Sequence, residues 1–344
     1  MTKGDERHNT ATIFDVAKLA GVSIKTVSRV VNNEPNVSQK TREKVNVAVE
    51  QLQYRPNSAA RGLSAKKSFA IGLVYENPEE FSYINAVING AFSACEAENY
   101  SLLIKPTTVI DEEIAGDIRQ FVAQAQLDGM ILTAPIGDNA EVVAVLDSQR
   151  IPYASITPKN PPAESITIDC EDEQASFELA TYLIEQGHRQ IAFIKGHPDH
   201  WASGERFAGY ERALMASGIE LRPELIVQGY FDFASGRAAA ASLLDLSDLP
   251  TVIVASNDAM ASGVLYEAME RNIAVPRDLS VTGFDDTPMA AQMWPPLTTV
   301  RQPISQMADA AVRRLIASAR GEDGQAMETR FKCELVIRSF CRAI

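Results

Sequence analysis

After Ser68 the chain alternates short apolar runs with longer amphipathic stretches, and this alternation restricts the possible folds most strongly. The apolar runs have the length of buried strands, and the stretches between them repeat apolar residues with a helical period. Such alternation is typical of parallel sheets covered by helices on both faces. The predicted strands are residues 69–75, 101–105, 129–133, 152–156, 165–169, 190–195, 251–255 and 279–283, and the predicted helices include 86–98, 112–125, 174–186, 206–216, 260–271 and 304–319. Eight strands fit two such sheets better than one.

Charge is distributed unevenly along the 344 residues, whose formal net charge is −13. Residues 1–67 hold 12 Lys and Arg against 6 Asp and Glu, whereas the remainder holds 20 against 39. A basic head on a large acidic body indicates that only the head faces a polyanion such as DNA.

The remaining composition excludes several classes of protein. No apolar run approaches the roughly 18 residues of a membrane span, and no secretory signal is visible at the N-terminus. The cysteines form no CxxC pair, which disfavours a disulfide framework and a zinc site and suits a reducing cytoplasm. His197 and His200 could suggest a metal, but no matching distant pair accompanies them. No HExxH, GxSxG, Walker A or GxGxxG motif occurs, so we expect no enzyme activity, no cofactor and no metal.

The basic head has the pattern of a helix-turn-helix. Thr12 and Asp15 are placed to cap a first helix, and Gly21 can end it in a left-handed conformation. We expect this helix to bury Val16, Leu19 and Ala20. Ser23 and Ser38 are placed to cap a second and a third helix, so three short helices can close a small core.

The second helix, residues 24–31, separates apolar from polar positions. Three valines at 27, 30 and 31 share an inner face, and the outer face carries Ile24, Lys25, Ser28 and Arg29. Lys25 and Arg29 could bond guanine or phosphate, and Ile24 could meet a thymine methyl group. A three-helix bundle with a solvated polar face is the alternative that this pattern leaves open.

Residues 13–32 (IFDVAKLAGVSIKTVSRVVN), 37–45 (VSQKTREKV) and 54–57 (YRPN) resemble the DNA-binding head of the lactose/galactose repressor family of bacterial transcriptional regulators. The match continues without gaps through Lys67. The resemblance implies that operator bases are read by Ile24, Lys25, Thr26, Ser28 and Arg29. It also implies contacts to backbone phosphates, which carry affinity but little sequence information, from Thr12, Ser23, Asn32 and Tyr54.

Residues 57–67 predict a hinge between head and body. This segment is too short for a stable isolated helix, so we expect it to order when it docks on DNA. The resemblance places Leu63 at the family's leucine lever, an apolar wedge for a central minor-groove step. It places Asn57, Ala60 and Arg61 around that wedge. A plain interdomain linker is the alternative.

The body resembles, more loosely, the family's effector domain, which is similar to two-lobed periplasmic sugar-binding proteins. The similar segments are 187–194, 206–210, 255–258, 283–287 and 296–301. The implied effector-binding residues are Tyr83, Asp172, Trp201, Arg206, Phe231, Asn257 and Asp285. Guanidinium, amide and carboxylate groups suit sugar hydroxyls, and the carboxyl ends of strands are where open α/β sheets bind ligands.

Several of these residues also have structural interpretations. These are an ion pair of Arg206 with Glu205 or Glu211, a helix cap for Asn257 or Asp172, a turn at Asp285 and a core position for Phe231. The chain also departs from the family pattern at residues 81–84 (FSYI), where many members have NPFF. The effector therefore cannot be inferred from the best-known members.

Together these features predict an all-α head at residues 1–56, a hinge at 57–67 and a two-lobed α/β effector domain at 68–344. Lobe one is expected at about 68–168 plus 301–328, and lobe two at about 169–300 plus 329–344. The expected function is a cytoplasmic, homodimeric repressor that a small sugar-like effector releases from a palindromic operator. Two alternatives remain: a co-repressor mechanism, in which a sugar phosphate or purine strengthens DNA binding, and a ligand-binding protein without regulation. No leucine heptads follow residue 336, so we expect a dimer rather than a tetramer.

Overall fold

The computed structural model describes residues 11–31, 37–54, 68–76, 81–107, 113–161, 165–322 and 327–344. The chain forms two compact units, Met1–Ser68 and Phe69–Ile344. The predicted hinge residues Asn57, Ala60, Arg61 and Leu63 lie outside the described residues, as does Asn32.

The first unit contains the three predicted helices, α1 (Ile13–Ala20), α2 (Ile24–Val31) and α3 (Gln39–Gln51). The backbone N–H of Thr12 donates to Asp15 Oδ2 at 2.9 Å, and Gly21 ends α1 with a φ of 65°. Ser38 accepts a hydrogen bond from the backbone N–H of Thr41 at the start of α3. Side chains thus cap the starts of α1 and α3, and the left-handed backbone of Gly21 ends α1.

The head core is built from small apolar side chains of all three helices: Val16, Ala17, Val27, Val30, Val45 and Ala48 are buried. The prediction for Leu19 was wrong, since this side chain is 50% exposed. Ala17 takes the inner position, because the face of α1 that meets α2 and α3 is centred on Val16 and Ala17. The valines at 27 and 30 point inward as predicted.

Twelve strands lie in the described part of the second unit. They are β1 (Ala70–Glu76), β2 (Ser101–Thr107), β3 (Gly129–Thr133), β4 (Tyr153–Ile156), β5 (Ile166–Cys170), β6 (Ile191–Lys195), β7 (Ile226–Gln228), β8 (Val252–Ala255), β9 (Ser280–Thr282), β10 (Thr299–Arg301), β11 (Arg330–Phe331) and β12 (Glu334–Val336). Each of the eight predicted strands is present; β3 has the predicted ends, and the other strands end one or two residues from the predicted limits. The short strands β7, β10, β11 and β12 were not predicted.

Nine helices of this unit lie among the described residues. They are α4 (Ser82–Ala97), α5 (Ile114–Ala125), α6 (Ala140–Gln149), α7 (Asp172–Glu185), α8 (Trp201–Ala216), α9 (Phe233–Leu244), α10 (Asp258–Glu270), α11 (Pro288–Gln292) and α12 (Ile304–Arg320). None of the helices in the described part of the chain has the length and apolarity needed to cross a bilayer.

Two parallel sheets organise the unit, as predicted. The first has the strand order β11-β5-β4-β3-β1-β2, and the second has the order β7-β6-β8-β9. Alternate residues of β1 enter two cores: Ile71 and Leu73 pack with α4 and α12, whereas Ala70 and Val74 pack with α5 and α6. Helices therefore cover both faces of the first sheet. The second sheet is likewise packed between two cores, one with α7 and α8 and one with α9 and α10.

The chain passes between the sheets several times, and one expected boundary needs correction. Residues 329–344 were assigned to the second lobe, but Arg330 and Phe331 pair in parallel with Asp169 and Cys170 of β5. The sheet of the first lobe therefore includes residues 169–170 and 330–331, which lie beyond the expected limits of 168 and 328. β10 and β12 pair antiparallel as a separate two-stranded ribbon.

Candidate functional site

A cavity of about 420 Å³ lies where the carboxyl ends of both sheets meet. Glu76, Ala134 and Thr157 come from the ends of first-sheet strands, and His197, Asn257 and Asp285 follow strands of the second sheet. This is the position at which parallel α/β sheets bind ligands. The volume is in the range of small-molecule sites.

Five of the seven predicted effector residues line this cavity: Tyr83, Arg206, Phe231, Asn257 and Asp285. Trp201 is not among its lining residues, although its helix neighbours His200 and Ala202 are. Trp201 is the first residue of α8. Asp172 lies behind the wall and reaches the cavity only through Arg206.

Arg206 is 5% exposed, and two of its nitrogen atoms donate hydrogen bonds within the protein. Its Nε donates to Asp172 Oδ1 at 2.9 Å, and its Nη1 donates to the carbonyl oxygen of Ser256 at 2.5 Å. The guanidinium lies 3.8 Å above the ring of Phe284. The arginine therefore pairs with Asp172 and not with the sequence neighbours that were the alternative.

Charge within this cluster is nearly balanced. Burial acts against the charged guanidinium, but Asp172 and Asp285 outweigh it and raise the pKa of Arg206. Asp285 Oδ1 lies 3.6 Å from Arg206 Nη1 and accepts a hydrogen bond from Gln302 Nε2 at 2.5 Å. Burial raises the pKa of Asp285 to about 8, although Arg206 acts in the opposite direction.

Asn257 both caps a helix and lines the cavity. Its Oδ1 accepts from the backbone N–H of Met260 at 2.9 Å, which caps α10. Its Nδ2 donates to the carbonyl oxygen of Phe231 at 2.8 Å. The cap fixes the amide at the cavity wall and also holds the Phe231 backbone, whose φ is 67°.

The sequence reasoning named Phe231 but missed its neighbours in an aromatic and imidazole wall, His197, His200 and Tyr230. His197 packs edge-on to Tyr230 with ring centroids 5.6 Å apart, and His200 packs edge-on to Phe231 at 5.5 Å. His200 Nε2 lies 3.5 Å from Glu76 Oε2, and this hydrogen bond lowers the pKa of Glu76. The available signal was the position of these residues after β1, β6 and β7, which the strand-end rule nominates.

A group with metal-ligand spacing lies behind Arg206. Within the described residues, Cys170, Asp172 and Cys333 form the one group of three side chains that could hold an ion. The cysteine spacing alone had disfavoured a zinc site, because these two cysteines are far apart in sequence.

The head presents the residues expected to read DNA on α2. Ile24 is 40% exposed and Lys25 is exposed, whereas Thr26, Ser28 and Arg29 are half-buried. Ser23 Oγ accepts from the backbone N–H of Thr26 at 3.1 Å and thereby caps α2. The outer face of α2 is therefore accessible at its N-terminal end, which is where a major-groove helix reads bases.

Two predicted phosphate contacts lie at the edges of the head core. Thr12 Oγ1 donates to Asp15 Oδ2 at 2.6 Å, so its hydroxyl takes part in the cap of α1. Tyr54 packs against the core, and burial raises the pKa of its hydroxyl.

Two family models match the chain. The model described as bacterial regulatory proteins, lacI family, matches residues 12–57, and a periplasmic binding protein-like domain matches residues 180–341. These matches confirm the predicted fold class, a helix-turn-helix head on a periplasmic-binding-protein-like body.

Whole-length relatives agree with these models. The transcriptional repressor PurR of Vibrio atlanticus is 34% identical over 337 residues, 97% of this chain and 99% of the relative. A solved complex of the transcriptional regulator CelR with cellobiose has a TM-score of 0.72 and 30% identity, and the match covers 96% of this chain and 99% of that one. A lac repressor dimer bound to operator and the anti-inducer ONPF has a TM-score of 0.74 and 28% identity, with 97% and 100% covered. The chain belongs to the lacI family of bacterial regulatory proteins.

Proposed function

We propose that this protein is a transcriptional repressor whose hold on a two-fold symmetric operator is controlled by a small hydroxyl-rich effector. The observation that carries the proposal is the cavity between the two sheets, whose wall contains a buried, fully oriented Arg206. The same chain carries a helix-turn-helix head with an accessible N-terminal end of α2. One chain thus joins a ligand cavity to a DNA-reading helix.

The electrostatics of the cavity favour a neutral effector. Arg206 is already matched by Asp172 and Asp285, and His200 is paired with Glu76. A phosphate group would have to compete with the Asp172 carboxylate for the guanidinium of Arg206. Sugar hydroxyls, which donate and accept, can bond to amide and carboxyl groups without disturbing the pairs. The structural relative CelR was solved with cellobiose, which supports a sugar as the effector.

The second lobe carries an exposed apolar surface that fits a second copy of the chain. Phe233, Tyr266 and Met269 line a groove of about 410 Å³ together with Trp294, which is 93% exposed. Large contiguous apolar surfaces of this kind mark interaction sites. The lac repressor relative was solved as a dimer on its operator, so we propose a homodimer with matching operator half-sites.

The control of DNA binding follows from linkage. An effector that binds one lobe arrangement more tightly shifts the population of that arrangement and hence the order of the hinge. A tenfold change in operator affinity requires a preference of about 1.4 kcal/mol. The proposed minor-groove wedge is Leu63, flanked by Asn57, Ala60 and Arg61. Leu63→Ala is expected to weaken operator binding and to leave effector affinity unchanged.

The test combines operator selection with effector titration. Genomic fragments bound by the purified protein at a stated salt concentration should share a palindromic motif. Fluorescence anisotropy on that motif, with mono- and disaccharides added in turn, should then find a sugar that lowers operator affinity at least tenfold. A sugar that strengthens binding would establish the co-repressor mechanism instead. Failure to enrich any motif, with or without a metabolite extract, would overturn the proposal.

A further inference from the structure

Strand pairing brings two distant cysteines to the same end of the first sheet. Cys170 is the last residue of β5, and Phe331 of β11 lies directly opposite it in parallel register. Cys333 lies two residues after Phe331 along the chain. Asp172 begins α7 two residues after Cys170, so all three side chains converge where β5, β11 and α7 meet.

The three ligand atoms lie within 4.8 Å of one another. The thiol of Cys170 donates to Asp172 Oδ2 at 3.1 Å, while Asp172 Oδ1 is held by Arg206 Nε. One carboxylate oxygen thus faces the thiols and the other faces the arginine. Cys170 and Asp172 are buried, and Cys333 is half-buried. The group is formed in advance, with its carboxylate oriented by a buried partner.

These dimensions suit a tetrahedral ion. Zinc binds thiolate sulfur at about 2.3 Å and carboxylate oxygen at about 2.0–2.2 Å, which places neighbouring ligand atoms ~3.5–3.8 Å apart. The separations of up to 4.8 Å must shorten by about 1 Å at most to reach that spacing. Gln302 Oε1 lies 3.5 Å from Cys170 Sγ and accepts a hydrogen bond from that thiol.

Charge balance also permits an ion beside Arg206. When a divalent ion is bound by two cysteines, the two thiols become thiolates and release two protons. The ion and the two thiolates together add no net charge to the cluster. The Asp172–Arg206 pair can therefore persist, with the carboxylate bridging the ion and the guanidinium.

We propose that Cys170, Cys333 and Asp172 form a site for one thiophilic divalent cation, Zn²⁺ being the ion whose preferred donors these are. The site lies directly behind the effector arginine, so an ion there holds Asp172 from the side opposite Arg206. A carboxylate that is itself held in place keeps the side chain bonded to it, here Arg206, in a fixed orientation.

The test uses Co²⁺ as a spectroscopic probe of the reduced, full-length protein under argon. One equivalent of Co²⁺ per chain should produce a thiolate-to-cobalt charge-transfer band, and Zn²⁺ should bleach it. Cys333→Ser should abolish the band. Cys95→Ser is the matched control, because Cys95 lies on α4 and does not belong to the group of three ligands, and it should keep the full band. Asp172→Asn keeps both sulfurs and should weaken Co²⁺ affinity about tenfold or more.

Circular dichroism and the melting temperature should show that each variant is folded. Cys333 is half-buried and its replacement by serine changes one atom, so this variant is the decisive one. A folded wild-type protein without a charge-transfer band would overturn the proposal. So would a band that persists in Cys333→Ser or that disappears equally in Cys95→Ser.

Discussion

Replacing Arg206 by methionine tests whether the cluster behind the cavity is a buried ion pair or an incidental contact. Methionine keeps much of the aliphatic stem that packs on Phe284 but removes the charge. Asp172, which is 2% exposed, then loses the donor to its Oδ1. Breaking one side of a buried ion pair costs about 3–5 kcal/mol, so we expect a loss of that size in the free energy of unfolding.

Arg212 supplies the matched control on the same helix. Its side chain is 38% exposed and pairs with Glu173, which is also 38% exposed. Arg212→Met should cost less than about 1 kcal/mol, because exposed ion pairs contribute little. The double variant Arg206→Met, Asp172→Asn removes both charges and should recover about 2 kcal/mol or more of the single-variant loss.

Urea unfolding followed by circular dichroism measures the wild type, the three single variants Arg206→Met, Arg212→Met and Asp172→Asn, and the double variant, with the slope checked for constancy. The reasoning fails if Arg206→Met costs no more than Arg212→Met, or if the effects of Arg206→Met and Asp172→Asn simply add. In either case Arg206 would not be locked by Asp172. Its orientation in the cavity would then need another explanation.

Three further outcomes are expected. Gly204→Ala should raise the free energy of unfolding by about 0.5–1 kcal/mol in urea titrations, because Gly204 lies inside α8 and an added Cβ meets no described atom within 4 Å; a destabilised variant would contradict this. Lys25→Ala and Arg29→Ala should each change the motif recovered by operator selection; recovery of the wild-type motif from both would make them backbone contacts. Burial raises the pKa of Asp258 from 3.8 to about 6, so its contribution to stability is full below pH 4 and is lost as the pH rises through 6. The stability difference between wild type and Asp258→Asn should therefore shrink over that range, and a constant difference would refute the shift.

The regular part of the fold was predictable because its signals are local. Each long strand is a continuous apolar run, and most helices repeat apolar residues on one face. The short strands β10 and β12 escaped prediction because three residues carry no period, and only their mutual pairing makes them strands.

The cavity was predictable in part, for a different reason. Arg206, Asn257 and Asp285 were nominated by resemblance and by the strand-end rule, and the structure places all three on one wall. Cys170 and Cys333 were dismissed because local spacing was the criterion. Their convergence depends on the register of β11 beside β5, which the sequence of either strand alone does not encode.

The topology of the first sheet has a consequence for synthesis of the protein. Its strands β1, β3, β4 and β5 are complete by Cys170, but one face is covered by α12, whose Met307, Ala311 and Leu315 belong to the same core. About 150 residues separate Cys170 from the end of α12 at Arg320. At about 5–20 residues per second, the ribosome needs roughly 8–30 s to deliver that helix. During this interval the apolar part of the sheet face that α12 will cover is exposed on the nascent chain. The yield of folded protein then depends on how well that face is kept from contact with other chains.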